Sequence, residues 1–487
     1  MALWQEFCGG FYQALSPVIG ADTAINLYTE TREVPGSPKQ VTMYGTPGLI
    51  GRLTFPTTGM RGQFSQDGQN WAVVGTALYE YYTASWTYVW RGFIPNDGKP
   101  VSFASNGAGG DQLGVCGGGQ INVLDLTTNV VTTAVLPFSN PVTITFIDGY
   151  LLANELNTPI VWFSALEDML TWDALDFFTR SNTSDNIVAV GVSRDRVWAW
   201  GTKTTTLFYD SGDVDTPFLP YPGTTFQVGL ASPWLVAGFS DQWFWVGQSA
   251  KGQRTVVTAS EPNAQPISTP PIALFLGNCT TLDDAWTVLY EQDEHLFFAI
   301  TCPSSPESVQ TYCYDVRESL WHARADWDAV AGDWLKWRVA GSAAIDGLIV
   351  VGDADSGTLY ELDLETYDND GDLLVAERTA PYLSAENQAF FVDQCQIGTQ
   401  AGVGLSSGQG SDPVATLEIS RNGARTWVSA GTAPLGMQGQ YETRTKWGRL
   451  GRFVAGLAVF RVRISDPVKR VIGPGAWLRI TPGTGQL

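Results

Sequence analysis

Few side chains in this 487-residue chain are suited to acid–base catalysis, and it contains only two histidines, His295 and His322. Each lies in an apolar run, where a histidine is more often part of a packed strand than a catalytic base. Neither has the HExxH spacing of a catalytic zinc site, and no P-loop sequence is present to hold phosphates. The sequence therefore predicts a protein that is not an enzyme, with no catalytic residues, no cofactor and no resident metal.

Carboxylate chemistry stays open, because a glycosidase needs only two suitably spaced carboxyl groups and the chain has 49 Asp and Glu. The segments SQDGQNW (residues 65–71) and SRNGARTW (residues 420–427) resemble the Asp-box turns of sialidases, in which a polar side chain closes a turn against a Trp. Such turns are structural even in sialidases. They leave a carbohydrate-binding or sialidase-like glycosidase propeller as an alternative function, beside a cytoplasmic scaffold propeller.

One acidic segment, residues 366–377, has part of the pattern of a calcium-binding loop. Four of its residues match positions 3, 5, 6 and 12 of an EF-hand loop, namely Asp368, Asp370, Gly371 and Glu377. The first position is Thr366 instead of Asp, and the flanking residues are typical of strands rather than helices. A plain Asp-Gly hairpin turn is the preferred interpretation, and calcium binding is left open.

Charge is unevenly distributed along the chain. Residues 386–487 carry 11 Lys and Arg against 6 Asp and Glu, a net charge of +5, whereas residues 1–385 carry 17 against 43, a net charge of −26. Basic residues on alternating C-terminal strands form either a solvated face or a docking site for the acidic surface of a neighbouring subunit, and we predict docking. The predicted docking residues are Arg444, Lys446, Arg449, Arg452, Arg461 and Arg463, with Lys469 and Arg470 following them.

The six cysteines are scattered without a CxxC pair, which indicates free thiols made in a reducing cytoplasm. Cys302 and Cys313 are candidates to face each other across a hairpin. No basic N-terminal segment followed by an apolar run resembles a signal peptide, and no run of about 18 apolar residues could span a bilayer. We therefore expect no membrane segment.

The elements that must position these residues are short strands. Aromatic residues make up 12% of the chain and charged residues only 16%, and 52 Gly and 26 Pro are spread along its length. From about residue 70, pairs of apolar runs flank turns that recur roughly every 40 to 50 residues, a period typical of propeller blades. The predicted turns lie near Gly75, Gly114, Gly149, Asp195, Asp241, Asp293 and Gly347.

This pattern predicts an all-β fold in three parts. Residues 1–60 form an N-terminal segment, residues 61–383 a β-propeller-like body of about six or seven blades, and residues 384–487 a small β-sandwich-like domain. Trp198 with Trp200, and Trp243 with Trp245, lie two residues apart, so each pair points to one face and packs between blades. One segment, residues 164–178, has apolar residues near helical spacing and predicts a short helix.

Several segments, read in order, resemble the packaged-DNA stabilisation family of short-tailed bacteriophages, whose members form the tail nozzle below the head-to-tail connector. Each segment alone is a turn between strands, and their order is what makes the resemblance specific. They are INLYTE (25–30), MYGTPGL (43–49), DNIVAVGVSRDRVWAWGTKTTTLFYDSG (185–212), YDVRESLWHAR (314–324), VGDADSGTLYELD (351–363), YDNDGD (367–372) and WGRLGRFVAGLAVFRVRISDP (447–467).

The resemblance implies a structural virion tail protein, assembled in the host cytoplasm, that retains packaged DNA and conducts it during genome ejection. It implies a homohexameric ring, in which residues 1–60 close the propeller or contact the connector. Tail needle, plug or fibre proteins would be further partners. An acidic body repels phosphate, so double-stranded DNA would pass through the ring without sequence-specific binding.

Overall fold

The computed structural model describes residues 2–13, 15–16, 20–32, 40–181, 184–213, 216–249, 251–260, 263–383, 388–454 and 457–482. These residues form a β-propeller and a β-sandwich with very little helix, which confirms the predicted all-β class. The predicted domain boundary adjoins residues 384–387, which lie outside the described residues. No helix in the described ranges is both long enough and apolar enough to span a bilayer.

Six strands precede the first blade. Most of them join the sandwich, and the last one joins the propeller. They are β1 (Ala2–Trp4), β2 (Tyr12–Gln13), β3 (Ala21–Ile25), β4 (Leu27–Arg32), β5 (Gln40–Gly45) and β6 (Gly48–Thr54), with a 3-10 turn at Gln5–Phe7.

Blades 1 to 3 are four-stranded antiparallel sheets whose strands follow chain order from the central channel to the rim. Blade 1 contains β7 (Met60–Gln66), β8 (Gln69–Val74), β9 (Ala77–Tyr82) and β10 (Thr87–Phe93). Blade 2 contains β11 (Ser102–Ser105), the helical turn α1 (Gly107–Gly110), β12 (Gln112–Gly117), β13 (Gln120–Asp125) and β14 (Val130–Thr133). Blade 3 contains β15 (Pro141–Ile147), β16 (Tyr150–Glu155), β17 (Ile160–Phe163) and β18 (Phe177–Thr179).

Blades 4 to 6 repeat this arrangement with small additions. Blade 4 contains β19 (Ile187–Ser193), β20 (Arg196–Gly201), β21 (Thr205–Asp210) and β22 (Phe218–Phe226). Blade 5 contains β23 (Gly229–Leu230), β24 (Val236–Phe239), β25 (Gln242–Gln248), β26 (Arg254–Ser260) and β27 (Asn263–Pro266), followed by the helix α2 (Pro270–Asn278). Blade 6 contains β28 (Trp286–Gln292), β29 (His295–Thr301), β30 (Thr311–Asp315) and β31 (Leu320–Asp328), with β32 (Asp333–Lys336) paired to β31.

Blade 7 closes the ring with strands from both ends of the propeller. Its first three strands are β33 (Val339–Ile345), β34 (Leu348–Asp353) and β35 (Thr358–Asp363), and β6 pairs antiparallel with β35 as the fourth. The short hairpin of β36 (Asp368–Asn369) and β37 (Asp372–Leu373) follows on the rim beside β6. Because β33 packs against β7 of blade 1, the described strands form seven blades in a closed ring.

Aromatic packing joins neighbouring blades. Trp198, Trp200 and Trp245 are almost fully buried, and the Trp200 and Trp243 rings meet with centroids 4.8 Å apart across the boundary between β20 and β25. The predicted packing role of these four tryptophans between blades is therefore confirmed. Burial of such large apolar rings is a major stabilising contribution to a stack of thin sheets.

Two local predictions were wrong. Residues 164–178 contain turns and the start of β18 instead of a helix, because Ala165 and Asp168 form a β-bridge and Asp168 and Asp173 accept hydrogen bonds from the backbone two residues on. Such side-chain turns compete with helix formation. Gly114 lies within β12, and the adjacent turn lies at Gly118 and Gly119, which have positive φ angles.

The C-terminal domain consists of two packed sheets. Its own strands are β38 (Ala376–Thr379), β39 (Phe390–Thr399), β40 (Val414–Ser420), β41 (Val428–Pro434), β42 (Lys446–Phe453), β43 (Val459–Ile464) and β44 (Val471–Pro482). One sheet has the order β4-β5-β44-β39-β42, with β1 paired to β44, and the other has the order β3-β38-β43-β40-β41. The core between them includes Phe7, Phe390, Trp447, Phe460 and Leu478.

The propeller and the sandwich share a continuous sheet. β3 pairs antiparallel with β38 of the sandwich and meets β31 of blade 6 in parallel at Ile25 and Ala323. The buried Asn26 side chain donates to the carbonyls of Ala325 and Val375, both at 2.8 Å, and accepts from the Ala325 amide at 3.1 Å. The junction is therefore hydrogen-bonded through both backbone and side chain. Because β3 pairs with β31, the outer strand of blade 6 is not an exposed sheet edge.

Candidate functional site

The basic residues predicted to dock a neighbouring subunit fall into two groups, and the first follows the strand β42. In this strand Trp447, Leu450 and Phe453 point into the sandwich core, whereas Lys446, Arg449 and Arg452 are exposed. Val392 and Gln394 of β39 pair with Gly451 and Gly448 of β42, so β42 has two residues where β39 has one. This extra residue shifts the alternation of the strand, and the exposed residues recur every three positions. This β-bulge aligns three cations on one exposed surface.

β42 is also the edge strand of its sheet. The strand order places it four positions from β4. Because Tyr28 of β4 packs against His295 of blade 6, β42 lies on the side of the sandwich away from blade 6. Arg444, just before the strand, is exposed as well. In the described part of the chain, Arg444, Lys446, Arg449 and Arg452 form no ion pair, so their charges face solvent. We call these four residues the basic edge.

The remaining two arginines, on the interior strand β43, are engaged within the subunit. Arg461 donates to Glu418 at 2.7 Å, and its guanidinium lies 4.1 Å from the centre of the Trp427 ring. Arg463 donates to the buried Glu377 at 2.6 Å. These contacts hold β43 to β38 and β40, so the structure places Arg461 and Arg463 apart from the basic edge.

A central channel of about 1460 Å³ runs between the inner strands of the blades. Its lining includes the basic residues Arg61, Lys99 and Lys336. Carboxylates outnumber them, and these are Asp284, Glu291, Asp293, Glu294, Asp355, Glu361 and Asp363. The channel is therefore acidic, as is the body of the chain, and its lining would repel phosphate groups.

The two histidines are buried inside blade 6. His295 Nδ1 lies 2.7 Å from a carboxylate oxygen of Asp315, and its ring packs against Tyr28 of β4. Burial lowers the pKa of His322 well below its ordinary value, and the nearby Arg324 charge acts in the same direction. Residues 404–408, GLSSG, fit the GxSxG pattern of hydrolases, but they form a loop of the sandwich without the strand–turn–helix context that the pattern requires.

The acidic segment at residues 366–377 forms the Asp-Gly hairpin of β36 and β37. Asp370 and Gly371 occupy its turn with positive φ angles, and Asp368 accepts a hydrogen bond from the Gly371 amide at 2.8 Å. Asp370 accepts from the Gly51 amide at 3.1 Å, and Glu377 is held by Arg463. Within the described ranges no group of three or more His, Cys, Asp or Glu side chains is arranged to hold a metal ion.

Both segments that resemble Asp-box turns form turns between strands. In the second, Asn422 accepts from the Thr426 amide at 3.0 Å and donates to the Thr426 hydroxyl at 2.8 Å. In the first, Asp67 and Gly68 make the two-residue turn between β7 and β8, and Trp71 is buried. The polar side chains of the second turn are thus used for local hydrogen bonding.

Taken together, the fold defines a two-domain β protein, a seven-bladed propeller joined to a sandwich. The family model described as "Bacteriophage P22 Gp10, beta-propeller" matches residues 19–367, and the one described as "Bacteriophage P22 Gp10, beta-sandwich" matches residues 376–476. The chain therefore belongs to the bacteriophage P22 Gp10 family of structural phage tail proteins, and it is a virion component. This confirms the resemblance found in the ordered segments.

Solved structures with similar backbones share little sequence with the chain. The N-terminal domain of Nup159 is 12% identical, with a TM-score of 0.41, covering 70% of this chain and 98% of that domain. U3-55K is 11% identical, with a TM-score of 0.40, covering 65% of this chain and 99% of that protein. Among curated protein sequences, none matches significantly.

Proposed function

We propose that the protein is a tail nozzle subunit of a short-tailed phage, which retains packaged DNA in the capsid and conducts it during genome ejection. The observation that carries the proposal is the match of both domains, in order, to one family of phage tail proteins. The subunit would be assembled in the host cytoplasm and remain in the virion tail. It acts as a structural part and not as an enzyme.

The proposed partners are further copies of the chain in a hexameric ring, the head-to-tail connector, and needle, plug or fibre proteins. The basic edge supports contact between copies because it lies on the far side of the sandwich from its own acidic propeller. A positive patch at one end of a subunit and negative charge at the other favour head-to-tail contacts, which close into rings when the rotation allows.

The charge of the chain supports passage of DNA without retention on the protein. Residues 1–385 carry a net charge of −26, and phosphate neutralisation by Lys and Arg supplies most non-specific DNA affinity. A ring whose inner surface is formed by this part of the chain would therefore let the duplex slide. The purified protein should accordingly show no binding to duplex DNA at physiological salt.

Electron microscopy of the purified protein mixed with its connector tests the proposal. We expect six-fold rings attached to the connector, with density for a propeller and a sandwich in each subunit. A protein that stays monomeric in the presence of the connector, and that binds or cleaves glycans in a glycan array or a sialidase assay, would instead support the carbohydrate-active alternative.

The double variant Arg449→Glu with Arg452→Glu tests the contact between copies. Reversing two exposed charges should weaken ring assembly at least tenfold, measured by light scattering in the presence of connector, while leaving the melting temperature unchanged. Arg425→Glu, an exposed arginine of the same domain outside the basic edge, is the matched control. Equal assembly by both variants would remove the basic edge from the interface.

A further inference from the structure

One loop of the propeller exposes apolar and acidic side chains together. It comprises residues 164–176, connects β17 to the outer strand β18, and is called the blade 3 loop below. Leu166 and Leu175 are 62% and 83% exposed, and Phe177, the first residue of β18, is exposed as well. The corresponding connections in blades 1, 2 and 6 are the short turns 83–86, 126–129 and 316–319. Blade 3 therefore has a longer connection than closure of a hairpin requires.

The blade 3 loop is anchored to the blades beneath it. Met169 is fully buried in the apolar cluster between blades 2 and 3, and its amide donates to the Gln112 side chain of blade 2 at 2.9 Å. The Glu167 amide donates to the Gly149 carbonyl at 2.8 Å, and the Trp172 indole donates to the Met169 carbonyl at 2.9 Å. Because the loop is already ordered, a partner that covers its exposed leucines gains apolar burial without the entropic cost of ordering it.

Negative charge surrounds the exposed leucines. Residues 164–179 include no Lys or Arg, and their carboxylates are Glu167, Asp168, Asp173 and Asp176. Asp168 and Asp173 accept hydrogen bonds from amides of the loop itself, at Leu170 and Leu175. In the part of the chain that the structure describes, none of the four forms an ion pair, and the carboxylates of Glu167 and Asp176 accept no hydrogen bond. A partner surface with both basic and apolar side chains would therefore complement this loop.

The basic edge of the sandwich has this combination of side chains. Phe391 of β39 lies directly opposite Arg452 of the basic edge, and its side chain is exposed. Val454, which immediately follows β42, is exposed as well. The basic edge and the blade 3 loop thus carry opposite charges, and each has large apolar side chains that face solvent. Two such surfaces attract each other electrostatically and bury apolar area when they meet.

The two surfaces lie at opposite ends of the subunit. The sandwich meets blade 6 where β3 pairs with β31, and it meets the rim of blade 7 where Arg470 donates to the Tyr367 carbonyl at 2.7 Å. In the closed ring of blades, blade 3 lies directly across from blades 6 and 7. The basic edge is on the side of the sandwich away from blade 6. The blade 3 loop and the basic edge of one subunit are therefore too far apart to meet, and they can join only between copies.

We propose that the blade 3 loop is the docking site for the basic edge of a second copy of this chain. Phe391 and Val454 of one copy would cover the exposed leucines of the next, while the cations of the basic edge face the loop carboxylates. Because the two surfaces differ, the contact is heterologous, and its repetition closes into a ring when the rotation allows. The inference rests on the ring of copies in the proposed function, and it names the surface that receives the basic edge.

Charge reversal in the full-length protein tests the contact. Glu167→Lys with Asp176→Lys changes the two loop carboxylates that accept no hydrogen bond among the described residues, so the loop should keep its conformation. Ring assembly should weaken about tenfold, measured by light scattering in the presence of the connector. Asp283→Lys with Asp284→Lys, two exposed carboxylates between blades 5 and 6, is the matched control and should assemble like the wild type. Equal assembly by both variants would overturn the proposal.

A charge swap identifies the partner of the loop. In a ring each blade 3 loop would meet one basic edge, so a chain that carries Glu167→Lys and Asp176→Lys together with Arg449→Glu and Arg452→Glu has opposite charges at every contact again. This fourfold variant should recover most of the assembly that either double variant loses. Losses that simply add would show that the two surfaces do not face each other.

Cross-linking separates this inference from the proposed function. The native cysteines are buried, so Leu175→Cys in one chain and Val454→Cys in another supply accessible thiols for a short bis-maleimide. The mixture with connector should give a covalent dimer, and Val330→Cys, at an exposed site beyond β31, should give none in place of Leu175→Cys. Rings in electron micrographs without the cross-link would overturn this docking site and leave the proposed function standing. Absence of both rings and cross-link would refute both.

Discussion

Asn26 provides the sharpest test of how the propeller and the sandwich are joined. Its side chain is buried and makes three hydrogen bonds, two to Ala325 on blade 6 and one to Val375 just before β38. Its backbone has a φ of 54°, in the left-handed region that Asn tolerates better than most residues. The substitution Asn26→Ala removes all three side-chain bonds and places Ala in an unfavourable conformation.

The expected loss follows from these contacts. Leaving a buried donor or acceptor unpaired costs roughly 1–3 kcal/mol, and the three partners together should cost about 3–5 kcal/mol after partial relaxation. Alanine in the left-handed region adds about 1 kcal/mol. We therefore expect Asn26→Ala to lower the free energy of unfolding by about 4–6 kcal/mol. Asn26→Gly should recover only the backbone part, about 1 kcal/mol.

Matched denaturant titrations, followed by tryptophan fluorescence, measure this loss as a shift in the unfolding midpoint. Asn129→Ala is the control, because Asn129 is exposed in the turn between β13 and β14 and also has a left-handed φ, of 60°. It reports the backbone cost without the buried hydrogen bonds. Equal losses for Asn26→Ala and Asn129→Ala would refute the argument that the side-chain bonds hold the two domains together.

Two further predictions concern buried charges. Asp185→Leu should lower the free energy of unfolding by about 3–5 kcal/mol, because Arg180 is fully buried beside Asp185 and would lose its counter-ion; an unchanged melting temperature would contradict this. His322 is kept neutral by burial, which lowers its pKa, whereas the unfolded chain takes up that proton near pH 6.5. The unfolded state then binds more protons below about pH 6.5, so stability should fall with decreasing pH by up to about 1.4 kcal/mol per unit. His322→Gln should remove this contribution, and identical pH profiles of the melting temperature for both proteins would show that His322 is not its source.

The propeller could be predicted from the sequence because the patterns that indicate its strands and turns are local. Alternating apolar runs and short turns act over a few residues, and turns with Asp or Gly at positive φ lie where predicted, as at Gly149, Asp293 and Gly347. The Gly114 turn was misplaced because Gly117, Gly118 and Gly119 follow it closely, and composition alone does not choose among them. The false helix at residues 164–178 arose from apolar spacing without regard to the Asp side chains that cap its turns.

Contacts between segments that are distant in the sequence could not be predicted from local sequence patterns. Cys302 and Cys313 were expected to face each other across one hairpin, but Cys302 lies just beyond the end of β29, and Cys313 lies opposite Ala299 and His322 in the sheet. The six basic residues looked alike in sequence. Only the packing of the sheets shows that Arg461 and Arg463 pair with Glu418 and Glu377, while the basic edge stays free of ion pairs among the described residues.

By itself the sequence determined the all-β class, the existence of repeated blades with a C-terminal sandwich, and the family. Strand periodicity and turn residues are local features of the sequence, and the order of the family-like segments can be read directly from it. The tertiary structure decided the seven-blade count, the completion of blade 7 by β6, and the sheet that runs from blade 6 into the sandwich. These features depend on pairing between residues hundreds of positions apart. Such pairing is set by the closure of the ring and the burial of both sheet faces, neither of which a local pattern encodes.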